Sequence, residues 1–173
     1  MKRLVFIPVL LWLLSSCSGS DTVSSVDGVP IAFEKTGQGG TTLVLVHGWS
    51  CDQTYWSEQV SALSDSFTIV TIDLAGHGLS GLTRTDYTMP AFGADVAAVV
   101  SALDLHNVYL VGHSMGGSVI VEAARLLPDR VVGLIGIDTL QEPSFLFTPQ
   151  QVDGFLQTMK NDFKGATTQF VAS

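Results

Sequence analysis

The chain has 173 residues, 46% of them hydrophobic and 14% charged, with a formal net charge of −8. This composition is typical of a compact globular domain and excludes a disordered or coiled-coil protein. Because an excess of acidic residues repels phosphate groups, it also argues against nucleic acid as a partner.

The first sixteen residues have the pattern of a bacterial signal peptide. A basic start at Lys2 and Arg3 precedes an apolar run over residues 4–14, which is too short to span a bilayer as a helix. The sequence Leu14-Ser15-Ser16-Cys17 then resembles a lipobox, in which Cys17 is lipidated and becomes the mature N-terminus. We therefore expect an exported protein that a lipid on Cys17 anchors to the cell envelope. An ordinary secretory signal and an uncleaved anchor are the alternatives.

Removal of residues 1–16 makes the chain more acidic. Lys2 and Arg3 are lost, which leaves 6 basic residues of the original 8 against 16 acidic ones, a net charge near −10. Such a surface does not attract anionic lipid headgroups, so the lipid on Cys17 is the only membrane attachment that we expect. Residues 17–25 are rich in serine and are predicted to form a flexible tether.

The chain contains a second cysteine, Cys51. If Cys17 is acylated, Cys51 has no intrachain partner and is expected to be a small buried or half-buried thiol. A Cys17–Cys51 disulfide is the alternative. No neighbouring residue type supports a nucleophilic role for Cys51.

From residue 26 onward, strand patterns alternate with helix patterns. Strands are predicted over Val29–Lys35, Thr42–His47, Phe67–Ile72, Asn107–Val111 and Val131–Ile137, and helices over Gln53–Leu63, Met89–Leu103 and Met115–Leu127. Because most of the strands are unbroken apolar runs, they are expected to be buried on both faces. The sequence therefore predicts an α/β fold over residues 26–140, with a mostly parallel sheet and helices on both faces.

The pattern changes beyond Asp138. Thr148 can cap a helix that Pro149 opens, and an apolar stripe follows at helical spacing. The stripe consists of Val152, Phe155, Leu156, Met159 and Phe163. Residues 141–173 are therefore predicted to be a separate helical segment.

The sequence Gly112-His113-Ser114-Met115-Gly116 lies between a predicted strand and a predicted helix. A sharp strand-to-helix turn holds the central serine in a strained conformation, and side chains at residues 112 and 116 would obstruct that turn. The serine hydroxyl then lies at a helix N-terminus, where developing negative charge is stabilised. Ser114 is therefore the candidate nucleophile.

Another glycine pattern, Gly76-His77-Gly78-Leu79-Ser80-Gly81, matches the spacing of a dinucleotide-binding loop. A polar loop follows it instead of a helix, so we interpret the match as accidental. The histidines are scattered and Cys51 is isolated, so neither a metal site nor a cofactor is predicted.

Three motifs in order resemble the α/β-hydrolase fold superfamily, of the serine hydrolase or esterase type. They are His47-Gly48-Trp49, the segment from Asp73 to Ser80, and Gly112 to Gly117. The resemblance implies an oxyanion hole formed by the backbone N–H groups of Trp49 and Met115, with a small-molecule acyl substrate. It implies that residues 141–173 are the start of a helical cap and that the C-terminal strands are missing. His47 is expected to be structural.

In this superfamily the base is a histidine that follows the nucleophile, and an acid lies between them. The histidines here are His47, His77, His106 and His113, all before Ser114. We therefore expect the catalytic histidine, and with it the acid, beyond Ser173; Asp138 is an alternative acid position. The sequence predicts the N-terminal part of a serine hydrolase. The alternative is an inactive, truncated hydrolase-fold protein or a binding module.

Overall fold

A computed structural model of the chain describes residues 20–139 and 147–172. The predicted signal peptide and Cys17 lie outside these residues. The chain divides after Thr139 into two compact units, close to the predicted boundary at residue 140.

The first unit is built on one six-stranded sheet with the order β1-β2-β4-β3-β5-β6. Strands β3 to β6 pair in parallel, whereas β1 and β2 are joined to each other and to β4 in antiparallel fashion. The strands are β1 (Asp21–Ser24), β2 (Pro30–Thr36), β3 (Thr42–Val46), β4 (Thr68–Ile72), β5 (Val108–His113) and β6 (Val131–Ile137). The predicted α/β fold with a mostly parallel sheet is confirmed.

Helices cover both faces of this sheet. The helices are α1 (Ser57–Leu63), α2 (Met89–Ala102) and α3 (Met115–Leu126). Val44 and Val46 of β3 pack with the side chains of α2 and α3, whereas Leu43 and Leu45 pack on the opposite face with Trp56. Every residue of β3 and β4 is buried, which explains why their sequences are apolar runs and not alternating patterns.

Most element boundaries agree with the predicted ones to within one residue, and three differ in ways that matter for the fold or the site. Part of the predicted tether is a strand, because Asp21–Ser24 pairs antiparallel with β2. The predicted helix over Gln53–Leu63 begins instead as a short 3-10 turn over Gln53–Trp56, which the Asp52 side chain caps by accepting from the Thr54 N–H. Strand β5 continues two residues further than predicted, to His113, and so runs directly into the turn at Ser114.

A buried ion pair ties the N-terminal hairpin to the rest of the unit. Arg84 donates to both carboxylate oxygens of Asp95 at 2.7 and 2.8 Å, and their side chains are only 3% and 0% exposed. Asp95 also accepts from the Ser25 hydroxyl and from the Ala75 N–H. Arg84 reaches Asp27 as well, and this contact holds the pKa of the Asp27 carboxyl below its usual range. Strand β1, the loop after β4 and helix α2 are therefore joined at one point.

Strand β6 forms one edge of the described sheet and pairs only with β5. Its large apolar side chains are 41% to 55% exposed, namely Val132, Leu134, Ile135 and Ile137. This edge is therefore apolar and exposed among the described residues, and we expect an edge of this kind to promote aggregation.

The second unit contains α4 (Pro149–Asn161) and α5 (Phe163–Ala172). Thr148 and Gln151 form a capping box at the start of α4, as the Thr148-Pro149 sequence suggested. Three residues of the predicted stripe, Val152, Phe155 and Leu156, are about half exposed on α4. Across the described parts of the chain, no helix has the length and apolar character to span a membrane.

Candidate active site

Ser114 lies in a tight turn between β5 and α3. Its backbone has φ 52° and ψ −118°, in a region that residues other than glycine rarely adopt. The first residue of α3 is Met115, so the Ser114 side chain lies at a helix N-terminus, where the peptide dipoles favour negative charge. The strained turn predicted from the sequence is present.

Two glycines make this turn possible. A side chain at Gly112 would collide with the carbonyl of Gly116. A Cβ at Gly116 would lie 2.5 Å from the Val46 carbonyl oxygen and 2.7 Å from that of His47. Helix α3 therefore starts directly against the end of β3, and only glycine fits at both positions.

The loop after β3 contacts the serine turn. A Cβ at Gly48 would lie 3.2 Å from the Cβ of Ser114 and 3.0 Å from Nδ1 of His113. Trp49 follows Gly48 directly, and Ser50 closes the loop in a left-handed conformation with φ 58°. The loop that carries the predicted oxyanion donor Trp49 is thus adjacent to Ser114, which Met115 follows directly. The structure brings the three predicted site residues into one place.

His47 is buried between the ends of β3 and β4. Its Nε2 accepts from the Leu74 N–H at 3.1 Å, so Nδ1 carries the proton and donates to the Gly48 carbonyl at 2.7 Å. Burial lowers the pKa of this imidazole, which favours the neutral form that the two hydrogen bonds require. These contacts give His47 a structural role, as expected, because it fixes the position of the Gly48 loop.

Asp73 organises the loop that follows β4. Its buried carboxylate accepts from the backbone N–H groups of Gln53 at 2.6 Å and Leu79 at 2.8 Å. Its carbonyl accepts from the Ser80 hydroxyl. A side chain at Gly78 would collide with the same carboxylate. The Asp73-to-Ser80 motif is therefore a loop folded around one carboxylate.

The glycine pattern from Gly76 to Gly81 does not have the geometry of a dinucleotide-binding loop. The Gly76 N–H donates to the Gly81 carbonyl at 2.9 Å, which closes a loop, and the next helix begins only at Met89. Without a helix N-terminus inside the motif, no backbone N–H cluster meets a pyrophosphate. The polar loop that the sequence predicts after these glycines is present, and the absence of dinucleotide binding stays a prediction.

None of the histidines forms a hydrogen bond with the Ser114 hydroxyl. All of them are among the described residues. His47 is engaged as above, His77 contacts the Ala75 carbonyl, and His106 lies beside Asp104. His113 stacks on Tyr55, with ring centroids 4.8 Å apart, and its Nε2 is 3.4 Å from the Tyr55 hydroxyl. No histidine of residues 1–173 is therefore placed as the base for Ser114.

Cys51 is half-buried and forms no disulfide with a described residue. Burial, reinforced by the neighbouring Asp52 carboxylate, raises the pKa of its thiol. A raised pKa reduces the thiolate fraction, which argues against Cys51 as a nucleophile. Within residues 20–139 and 147–172, no cluster of histidine, cysteine or carboxylate side chains could hold a metal ion.

One residue that contacts the nucleophile is not predicted from the sequence. Thr139, directly after the end of β6 and Asp138, donates its hydroxyl to the Ser114 carbonyl at 2.7 Å. The pair is 25 residues apart in the chain, and no motif marks a threonine at this position. Asp138 itself has a left-handed backbone, with φ 48°.

Comparison with known proteins identifies a family whose model matches this chain. A family model described as the alpha/beta hydrolase fold matches residues 41–172. An uncharacterized protein of Mycobacterium tuberculosis is 36% identical over 111 residues, which are 64% of this chain and 32% of that protein. A pimeloyl-(acyl-carrier protein) methyl ester esterase of Aeromonas hydrophila is 31% identical over 150 residues, covering 82% of this chain and 56% of the esterase.

Solved structures agree with these relatives. An esterase from Exiguobacterium antarcticum superposes with a TM-score of 0.77 at 25% identity, covering 88% of this chain and 60% of the esterase. The chain thus spans about a third of the mycobacterial relative and less than two thirds of either esterase.

Proposed function

The chain belongs to the alpha/beta hydrolase fold family, and from that premise we propose that Ser114 is the nucleophile of a serine hydrolase. One observation carries the proposal. Ser114 has a strained, positive φ at the N-terminus of α3, in a turn that requires glycine at residues 112 and 116. A non-glycine residue in this conformation persists only where the surroundings impose it, and such strain is concentrated at functional sites.

In the proposed reaction the Ser114 hydroxyl attacks the carbonyl carbon of an ester or related acyl substrate. A base takes the hydroxyl proton while the new bond forms, and the carbonyl oxygen becomes an oxyanion. The backbone N–H groups of Trp49 and Met115 bind that oxyanion and contribute about 3 kcal/mol each to the lower barrier. As the intermediate collapses, the protonated base gives its proton to the leaving oxygen, which expels the alcohol and leaves an acyl-enzyme. Water then hydrolyses the acyl-enzyme, which releases the acid and restores the Ser114 hydroxyl.

The base is a histidine outside residues 1–173. The geometry supports this, because His47 is held neutral by two hydrogen bonds and His113 is stacked on Tyr55. The acid partner is also expected from outside this stretch. Residues 1–173 by themselves are therefore expected to be acylated at Ser114 slowly or not at all. A non-catalytic binding protein built on the same fold is the competing function, favoured by the absence of a histidine at Ser114 among the described residues.

An ester is the substrate class that the relatives support best. The Aeromonas hydrophila relative is named a methyl ester esterase and the Exiguobacterium antarcticum protein an esterase. We propose a carboxylesterase-like activity on a small acyl substrate, with no cofactor.

The test uses the protein expressed with any sequence that its gene encodes beyond Ser173. Hydrolysis of p-nitrophenyl butyrate and labelling by a fluorophosphonate are measured for the wild type, Ser114→Ala and Ser101→Ala. Ser101 lies exposed on α2 and serves as the matched control. Loss of both signals in Ser114→Ala alone supports the proposal. Turnover that survives Ser114→Ala contradicts it, and a fully folded wild type that shows neither signal supports the binding protein.

We also propose that the protein is exported and anchored by a lipid on Cys17. The support is the sequence alone: a basic start, an apolar run over residues 4–14 and Cys17 directly after two serines. Cells fed an alkyne fatty acid should incorporate it into the wild type and not into Cys17→Ala, whereas Cys51→Ala should incorporate it normally. Equal incorporation by wild type and Cys17→Ala would contradict the anchor.

A further inference from the structure

The chain that leaves β6 holds the backbone of Ser114 at two atoms. The Ser114 N–H donates to the carbonyl of Ile137, the last residue of β6, at 3.1 Å. Two residues later, the Thr139 hydroxyl donates to the Ser114 carbonyl at 2.7 Å. The same carbonyl accepts from the Gly117 N–H at 2.9 Å in the first turn of α3. Both backbone polar groups of the strained serine are therefore bonded to one short segment.

The backbone of Asp138 makes this two-point contact possible. Asp138 lies between the two partners and has φ 48°, a left-handed conformation that turns the chain sharply at the end of β6. An extended strand would carry residue 139 away from Ser114, because successive residues of a strand advance by about 3.3 Å. The turn at Asp138 instead returns Thr139 to the nucleophile.

Packing fixes the Thr139 side chain in this position. A Cβ at Gly117 would collide with its hydroxyl and methyl groups, and a Cβ at Gly136 would lie 3.0 Å from its methyl carbon. Thr139 therefore fills the space that these two glycines leave open. A β-branched side chain is also stiff about χ1, so its hydroxyl is held ready to donate.

We propose that Thr139 is a positioning residue for the nucleophile. This inference rests on the proposed function of Ser114. The hydroxyl of Thr139 and the carbonyl of Ile137 together keep Ser114 in its strained conformation and so hold its side chain at the α3 N-terminus. Thr139 touches no substrate, and its effect on the reaction passes through the backbone of Ser114.

Two substitutions distinguish the effect of the Thr139 hydroxyl from the effect of its side-chain shape. Thr139→Val keeps both branches of the side chain and removes the donor, whereas Thr139→Ser keeps the donor and removes the methyl group. Thr68→Val is the matched control. The Thr68 hydroxyl donates to the Gly39 carbonyl at the same distance of 2.7 Å, at the opposite end of the sheet.

The first measurement is amide hydrogen exchange of the protein as its gene encodes it. In Thr139→Val the N–H groups of Ser114 and Gly117 should exchange about tenfold faster, because the turn opens locally more often. Amides in the middle of β3 and β4 should be unchanged, and Thr139→Ser should exchange like the wild type. This readout does not depend on any catalytic activity.

The second measurement is ester hydrolysis. Thr139→Val should lower kcat about tenfold with KM changed by less than about twofold, since only the placement of the nucleophile is disturbed. Thr139→Ser should recover most of the wild-type rate, and Thr68→Val should not affect it. Wild-type exchange and kcat in Thr139→Val would overturn the inference, as would an equal loss in Thr68→Val. If activity survives Ser114→Ala, the proposed function fails, and hydrogen exchange alone then decides whether Thr139 positions Ser114.

Discussion

The buried ion pair between Arg84 and Asp95 allows a quantitative prediction about what holds the first unit together. The variant Arg84→Met removes the guanidinium and keeps an apolar stem of similar length. Asp95 is then left at 0% side-chain exposure without its cationic partner. Loss of one member of a buried, hydrogen-bonded pair leaves an uncompensated charge, which is far more costly than loss of a surface pair.

The magnitude follows from the contacts that remain. Such a loss typically costs about 3–5 kcal/mol of unfolding free energy. Asp95 keeps the Ser25 hydroxyl at 2.6 Å and the Ala75 N–H at 3.2 Å, so part of its hydrogen bonding survives. We therefore expect the lower end, about 3 kcal/mol, which is a large part of the ~5–15 kcal/mol typical of a folded protein.

Urea unfolding at neutral pH, followed by tryptophan fluorescence, measures this loss. Arg125→Met is the control, because Arg125 pairs with Glu122 on α3 and its side chain is 73% exposed. A surface pair of that kind contributes about 0–1 kcal/mol. The double variant Arg84→Met, Asp95→Leu should recover stability relative to Arg84→Met, since it removes the unpaired charge. Equal destabilisation by Arg84→Met and Arg125→Met would refute this reasoning.

Two further predictions concern the residues around the serine turn. Gly116→Ala should lower the unfolding free energy by about 1–3 kcal/mol, because the new Cβ would collide with the backbone at the C-terminal end of β3. Gly154→Ala in α4 has open space around the new Cβ and should raise the unfolding free energy by up to about 1 kcal/mol. Thermal melts that rank the two variants the other way would contradict the packing argument. For His47, burial lowers the folded-state pKa, so its contribution to stability is present above the ordinary value of 6.5 and is lost as the pH falls below it, by up to about 1.4 kcal/mol per pH unit. His47→Gln cannot titrate but can still hydrogen-bond to Leu74 and Gly48. Urea unfolding at several pH values between 5 and 7.5 should therefore show a smaller dependence of the unfolding free energy on pH in this variant than in the wild type. An equal pH dependence in both proteins would contradict the assignment.

Much of the fold follows from local patterns in the sequence. The non-alternating sequences of β3 and β4 and the helical spacing of α2 and α3 reflect burial within and against the sheet, so the sequence pattern predicts these elements. The apolar run of β6 predicts a strand as well, although its side chains are about half exposed at the edge of the described sheet. The turn at Ser114 can also be predicted from the sequence, because two glycines at fixed spacing are needed wherever a strand turns so sharply into a helix.

Contacts between distant residues are not visible in such patterns. Strand β1 is short and polar, and it forms a strand because it pairs antiparallel with β2. Arg84 and Asp95 resemble ordinary surface charges until the fold buries them together. Thr139 lies in no motif, and its bond to Ser114 depends on the turn at Asp138.

The assignment of Ser114 as the nucleophile is tested most directly by mass spectrometry of the protein after reaction with a fluorophosphonate. The protein is expressed with any sequence that its gene encodes beyond Ser173, and Ser114→Ala and Ser101→Ala are treated in parallel. We predict one phosphonate adduct, on the peptide that contains Ser114, in the wild type and in Ser101→Ala and none in Ser114→Ala. An adduct on another serine, or one of equal yield in Ser114→Ala, would contradict the assignment.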